Sequence, residues 1–262
     1  LVTEPLIVER NFYDYGPAND LSLRVRGNVY LENPNGFSGD FMRVGSGKII
    51  LDSGSDQEIH TSGTKVSQVM RVEKVAGSVV PAAGVTNIWL RGLEVIDGIF
   101  EAPTGILRLG HKTTTATTMN VLEIASTSDF KTNGGTIQFS LERSGSNNTT
   151  ATVVVPADFE FDNVRVTNGP PGSGWYSNIA SATPLTVNGL FEFLGMRTTA
   201  TWVAQSDVVI GGNAFGGTGE IRVAGTSNRT ITGVATGFAP NLVIESGGGD
   251  VNLSGTIVLG HG

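Results

Sequence analysis

The chain has no cysteine. That removes disulfides, thiol nucleophiles and cysteine-ligated metal sites from consideration together. Charge is also scarce: 16% of the 262 residues are Asp, Glu, Lys or Arg, against about 25% in a typical soluble domain. The basic residues stand singly in a chain of net charge −7, so neither a nucleic-acid footprint nor a polybasic membrane patch is present. No apolar run approaches the roughly 20 residues a spanning helix needs. The three histidines, His60, His111 and His261, show no His-x-His or His-x3-His spacing, and a zinc site needs several convergent ligands.

What is abundant is glycine, at 36 residues, together with Ser, Thr and Asn, while Val, Ile, Leu and Phe recur along the whole length. This composition disfavours helices, which prefer Ala, Leu, Glu and Lys. It is also too apolar for disorder. Strands with tight corners are the expectation.

A pattern of alternating apolar residues broken by glycine returns four times: Leu23-Arg-Val-Arg-Gly27-Asn-Val29-Tyr-Leu31, Leu93-Glu-Val95-Ile-Asp-Gly98-Ile-Phe100, Leu185-Thr-Val187-Asn-Gly189-Leu-Phe191-Glu-Phe193 and Val251-Asn-Leu253-Ser-Gly255-Thr-Ile257-Val-Leu259. Two further motifs follow in order. The first is Gly-x-apolar-x-apolar, at Gly47–Leu51, Gly135–Phe139 and Gly219–Val223. The second comprises Val69–Val72, Phe161–Val166 and Asn241–Ile244. The glycines of the first lie 88 and 84 residues apart (135 − 47 and 219 − 135). Inside each unit, strand starts recur every 20–25 residues or so, the length of one turn of a parallel coil.

The expected fold is therefore all-β: a parallel β-helix, or β-solenoid, of about ten irregular coils in roughly three sequence repeats. Residues 21–262 carry it in units near 21–92, 93–184 and 185–262, after a cap or linker at 1–20. Alternation leaves one face of each strand wet and one dry, and a single coil cannot bury its dry face alone. Tandem antiparallel β-sandwich domains are the alternative, although Trp89, Trp175 and Trp202 do not occupy equivalent positions.

The succession Gly217-Thr-Gly219-Glu-Ile-Arg-Val-Ala-Gly-Thr-Ser-Asn228-Arg-Thr-Ile-Thr-Gly233, then Pro240-Asn-Leu-Val-Ile and Val251-Asn-Leu-Ser-Gly, resembles the long β-repeat surface proteins of gliding and related Bacteroidota. The type IX system exports those proteins. The resemblance runs from about residue 21 to 262 and is clearest from 217. It implies an extracellular or cell-surface bacterial protein acting as adhesin, stalk or filament segment. Its partners would be further copies, further repeats of a longer chain, or surface glycans and proteins. The opening at Leu1 without Met and the close at Gly262 inside a strand-like pattern suit a processed protein or a segment of a longer one.

Sequence constellations for chemistry are thin. Gly260-His261-Gly262 lacks the paired carboxylates that glycosidic cleavage uses. Gly105–Thr113 is a near miss to a phosphate loop, because His111 separates the second glycine from Lys112. Asp52-Ser-Gly-Ser-Asp56 has residue types for half a calcium site, though a plain turn accounts for it. Threonines cluster at 113–118 and 198–201 without a regular array. In the Pro/Gly-rich insertion, Trp175 and Tyr176 are the exposed candidates for contact with a sugar ring or partner. No catalytic, cofactor or metal residue is assigned, and the expectation is a non-enzymatic protein; the alternative is a carbohydrate-active or carbohydrate-binding β-helix.

Overall fold

A computed structural model describes residues 6–8, 22–31, 47–61, 65–110, 112–113, 118–143, 149–168 and 177–260. It contains strands and no helix among them. Every described strand pairing is parallel, which rules out the antiparallel sandwich array and makes the fold a parallel β-helix. The chain divides into two compact units: residues 1–111 with 121–135, and residues 112–120 with 136–262.

In the first unit, one column of inward side chains runs through Leu23, Ile49, Met70, Leu93 and Leu122, each one coil above the last. Val25, Leu51, Val72, Val95 and Ile124 form its neighbour, all at most 4% exposed. The strands Lys65–Pro81 and Asn87–Glu101 each turn a corner without leaving the sheet. Residues 69–72 stack on Lys48–Leu51, while residues 79–81 stack on Gln57–Thr61. Leu6–Val8, within the segment expected to be a cap, pairs in parallel with Val29–Leu31.

In the second unit the corresponding column is Ile137, Val164, Phe191, Val208, Ile231 and Leu253, six coils deep. A second column passes through Leu185, Trp202, Ile221 and Leu242. Full burial of a Val, Leu or Ile contributes about 1.5–3 kcal/mol, and Ile137, Val164, Val208, Ile231, Leu185 and Ile221 obtain it from the coils above and below.

The two repeated motifs are successive coils in all three copies. Ile49 and Leu51 lie under Met70 and Val72. Ile137 and Phe139 lie under Val164 and Val166, and Ile221 and Val223 under Leu242 and Ile244. The coil length is less regular than the motifs suggest. Phe191 meets Val208 after 17 residues (208 − 191), whereas Val29 meets Ile59 after 30 (59 − 29). Extra residues are looped out at corners, where the ladder does not count them.

The coils are also joined side chain to backbone. At six corners an Asn or Asp just before or at a strand start accepts a hydrogen bond from the N–H stacked directly above it. The pairs are Asn28 with Glu58, Asp56 with Ser78 and Asn87 with Ile106 in the first unit. In the second they are Asn163 with Leu190, Asp207 with Thr230 and Asn228 with Asp250, all six at 2.7–3.0 Å. Four of the donors follow a glycine, and the reason is proximity. A Cβ on Gly189 would stand 2.4 Å from Asn163 Oδ1 and 2.6 Å from the Asp162 carbonyl oxygen.

Asn163→Ala is expected to lower stability by about 1 kcal/mol, the net worth of one such bond. Gly189→Ala should cost more, since backbone of the lower coil must move. Urea unfolding followed by circular dichroism orders the two; equal losses would mean that the corner is not tight.

Candidate functional site

The Asp52–Asp56 turn, expected as half a cation site, does gather oxygens. Its occupant is a side chain. Lys74 lies one coil above and is 1% exposed. Its Nζ donates to the carbonyls of Ser53 at 2.8 Å and Ser55 at 2.7 Å, and to Gln57 Oε1 at 3.1 Å. Gln57, also 1% exposed, donates from Nε2 to the carbonyls of Val25 and Gly27 in the coil below. An ammonium and an amide thus link three coils through an otherwise apolar corner. Burial pushes the Lys74 pKa below its ordinary value, opposed by the charges of Asp56 and Asp52. The two carboxylates are themselves engaged: Asp52 pairs with Arg24 and Arg26, and Asp56 accepts the Ser78 N–H.

Arg229 repeats the device in the second unit. It is 2% exposed, and its guanidinium donates to the carbonyls of Ala224, Gly225 and Gly248. Gln57 and Arg229 both open their strands at the place where other coils carry a glycine. A side chain there must turn inward, and it survives only by spending its donors on corner carbonyls. Sequence reading missed all three residues. For Gln57 and Arg229 the available signal was a long polar residue in the glycine position of the Asx corner.

The outer face of the first unit carries a charge ladder. Glu94, 8% exposed at its side chain, binds Lys48 at 2.8 Å and Arg71 at 2.5 Å. Arg71 also reaches Glu73, which meets Arg24 at 2.9 Å. Ile50 sits in register between Arg24 and Arg71 and is only 6% exposed on the wet side, because such long stems cover apolar surface. A shorter ladder in the second unit joins Arg165 to Glu192.

The residues singled out in the sequence fall as follows. Trp175, Tyr176, His111 and His261 lie outside the described residues. His60 stacks on Tyr30 with centroids 4.1 Å apart, and its Nε2 is 2.9 Å from Glu58 Oε2. The phosphate-loop near miss is a strand, Ile106–Leu109, with Arg108 over the Trp89 ring at 3.6 Å. Thr198 is buried and accepts the Trp202 indole N–H. Among the described residues no group of three His, Asp or Glu side chains is placed to hold a metal ion, and no helix is long and apolar enough to cross a membrane.

Comparison with protein-family models, with curated proteins and with solved structures finds no match.

Proposed function

We propose that this chain is a non-enzymatic structural and adhesive segment of a bacterial surface or extracellular protein, serving as stalk, adhesin or filament piece. What supports the reading most is where the polar side chains go. The corner Asn and Asp residues, Lys74, Gln57 and, through Gly248, Arg229 all bind one coil to the next. Charges on the outer face pair along the stack. Such side chains resist separation of coils and are already occupied, whereas a catalytic site keeps reactive groups open to substrate. The resemblance to type IX-exported repeat proteins supports secretion and the cell surface, with surface glycans or proteins and further copies or repeats as partners.

Pulling the protein by its two ends tests the mechanical role. Coils are expected to peel off in steps of 17–30 residues, the spacing of stacked partners, or about 60–100 Å of released chain at ~3.4 Å per residue. Incubation with a panel of plant and bacterial polysaccharides is expected to release no new reducing or unsaturated ends. Turnover of any of them, or release of the whole chain in one step at low force, would overturn the proposal.

A further inference from the structure

Asn-Gly occurs at 35–36, 133–134, 168–169 and 188–189, and the second and fourth of these pairs lie wholly among the described residues. In such a pair the glycine nitrogen, with no Cβ beside it, can attack the side-chain carbon of the asparagine. Asn133 and Asn188 are both exposed, so neither sequence nor exposure separates them. The fold treats them oppositely.

Asn188-Gly189 is held at the atoms the attack would have to move. Three successive N–H groups are bonded to the coil below: Asn188 to the Phe161 carbonyl at 2.9 Å, Gly189 to the Asp162 carbonyl at 2.6 Å and Leu190 to Asn163 Oδ1 at 2.9 Å. The close approach of Gly189 to Asp162 and Asn163 leaves this backbone no room to turn. The Asn188 amide is itself tied, donating to Glu160 at 2.8 Å.

Asn133-Gly134 instead forms the centre of a turn closed by the Gly135 N–H on the Thr132 carbonyl at 3.1 Å. Both residues have left-handed backbone, with φ of 54° and 73°. For asparagine that conformation stores some strain, so leaving it costs correspondingly less. Gly134 is exposed, and a Cβ built on it would meet nothing within 4 Å. The Asn133 Nδ2 donates to the Ala102 carbonyl of the coil below at 2.9 Å.

We infer that Asn133 is a site of spontaneous deamidation, from which Asn188 is protected by its corner. The Gly134 nitrogen gives its proton to hydroxide and bonds to Asn133 Cγ. The Cγ–Nδ2 bond breaks, and ammonia leaves with a proton from water. Water then opens the succinimide ring at either carbonyl, giving aspartate or, with the chain rerouted through Cβ, isoaspartate. Either product puts a carboxylate, which cannot donate, where the amide faced the Ala102 carbonyl. The change therefore unties the turn at 132–135 from the coil below. The inference is independent of the structural role proposed above.

The test is to incubate the whole chain in mildly alkaline buffer, folded and, in parallel, in concentrated guanidinium chloride. Tandem mass spectrometry of its proteolytic peptides follows the amide-to-acid mass gain at each asparagine. In the folded chain Asn133 is expected to convert at least about ten times faster than Asn188, a barrier difference of ~1.4 kcal/mol. In guanidinium the two rates should converge, because the corner no longer exists. Hydrogen exchange at Ala102, whose N–H bonds the Lys131 carbonyl at 2.8 Å, should be faster in the converted protein. Equal rates in the folded chain would overturn the inference. So would an Asn133 that converts only in guanidinium, or converted protein with unchanged exchange at Ala102.

Discussion

Trp202→Ala is expected to lower stability by about 3–5 kcal/mol, the range for truncating a buried large aromatic. Trp202 is fully buried in the second unit. It stacks on Phe191 with centroids 4.9 Å apart and meets Phe139 at 6.2 Å. Its Nε1 donates at 3.0 Å to Thr198 Oγ1, which also accepts the Ala200 N–H at 3.1 Å. Alanine would remove the ring, open a cavity between the coils carrying Leu185 and Ile221, and take one partner from a buried hydroxyl. Coils in parallel register cannot close that gap without breaking their ladders. Trp202→Phe should keep most of the packing and cost roughly 1–2 kcal/mol for the lost indole bond and volume. Urea unfolding followed by circular dichroism distinguishes them, and a loss under about 1 kcal/mol for alanine would mean that this ring does not hold the second unit together.

Lys74→Met is expected to cost about 3 kcal/mol or more, although methionine matches the stem in length and apolar character. The loss is all at the tip. Two carbonyls and the Gln57 amide oxygen would remain buried without the donor they face. Arginine should not rescue the position, because the three oxygens surround a compact ammonium and a planar fork does not fit it. The pH dependence carries a sign. With burial depressing the native pKa, the unfolded chain holds this proton more tightly than the native one. Native stability therefore rises with pH from the depressed value up to the ordinary 10.5. The advantage of wild type over Lys74→Met should grow across that interval. An advantage that shrinks with rising pH would show that the pKa is instead raised by the three acceptors.

Much of the architecture is legible in strings such as Gly135-Thr-Ile137-Gln-Phe139. Period-2 alternation assigns Ile137 and Phe139 to the dry face, and both are buried under Val164 and Val166 as the following motif implies. Trp202 and Trp89 occupy unlike places in the sequence, and they have unlike environments: one inside the column, the other under Arg108 on the outer face. Coil length was not legible, because a corner can loop out any number of residues without disturbing the ladder it interrupts.

The corner polar residues were the hardest to read. Asp52-Ser-Gly-Ser-Asp56 does collect oxygens, but its sequence says nothing of the ammonium that fills it from the next coil. Asn163 and Gly189 are 26 positions apart (189 − 163) and look like two unrelated turn residues. Stacking makes them one joint, with the glycine flat against the asparagine and the next N–H bonded to it.

By itself the sequence determined that strands would form, which of their side chains would be dry, and where glycine would let the chain turn, because these follow from the chemistry of a few adjacent residues. Only the tertiary structure decided which residue lies above which, since a corner of unfixed length leaves the offset between stacked residues open from one coil to the next. That vertical register places Lys74 over the turn at 53–57 and aligns Asn228 with Asp250.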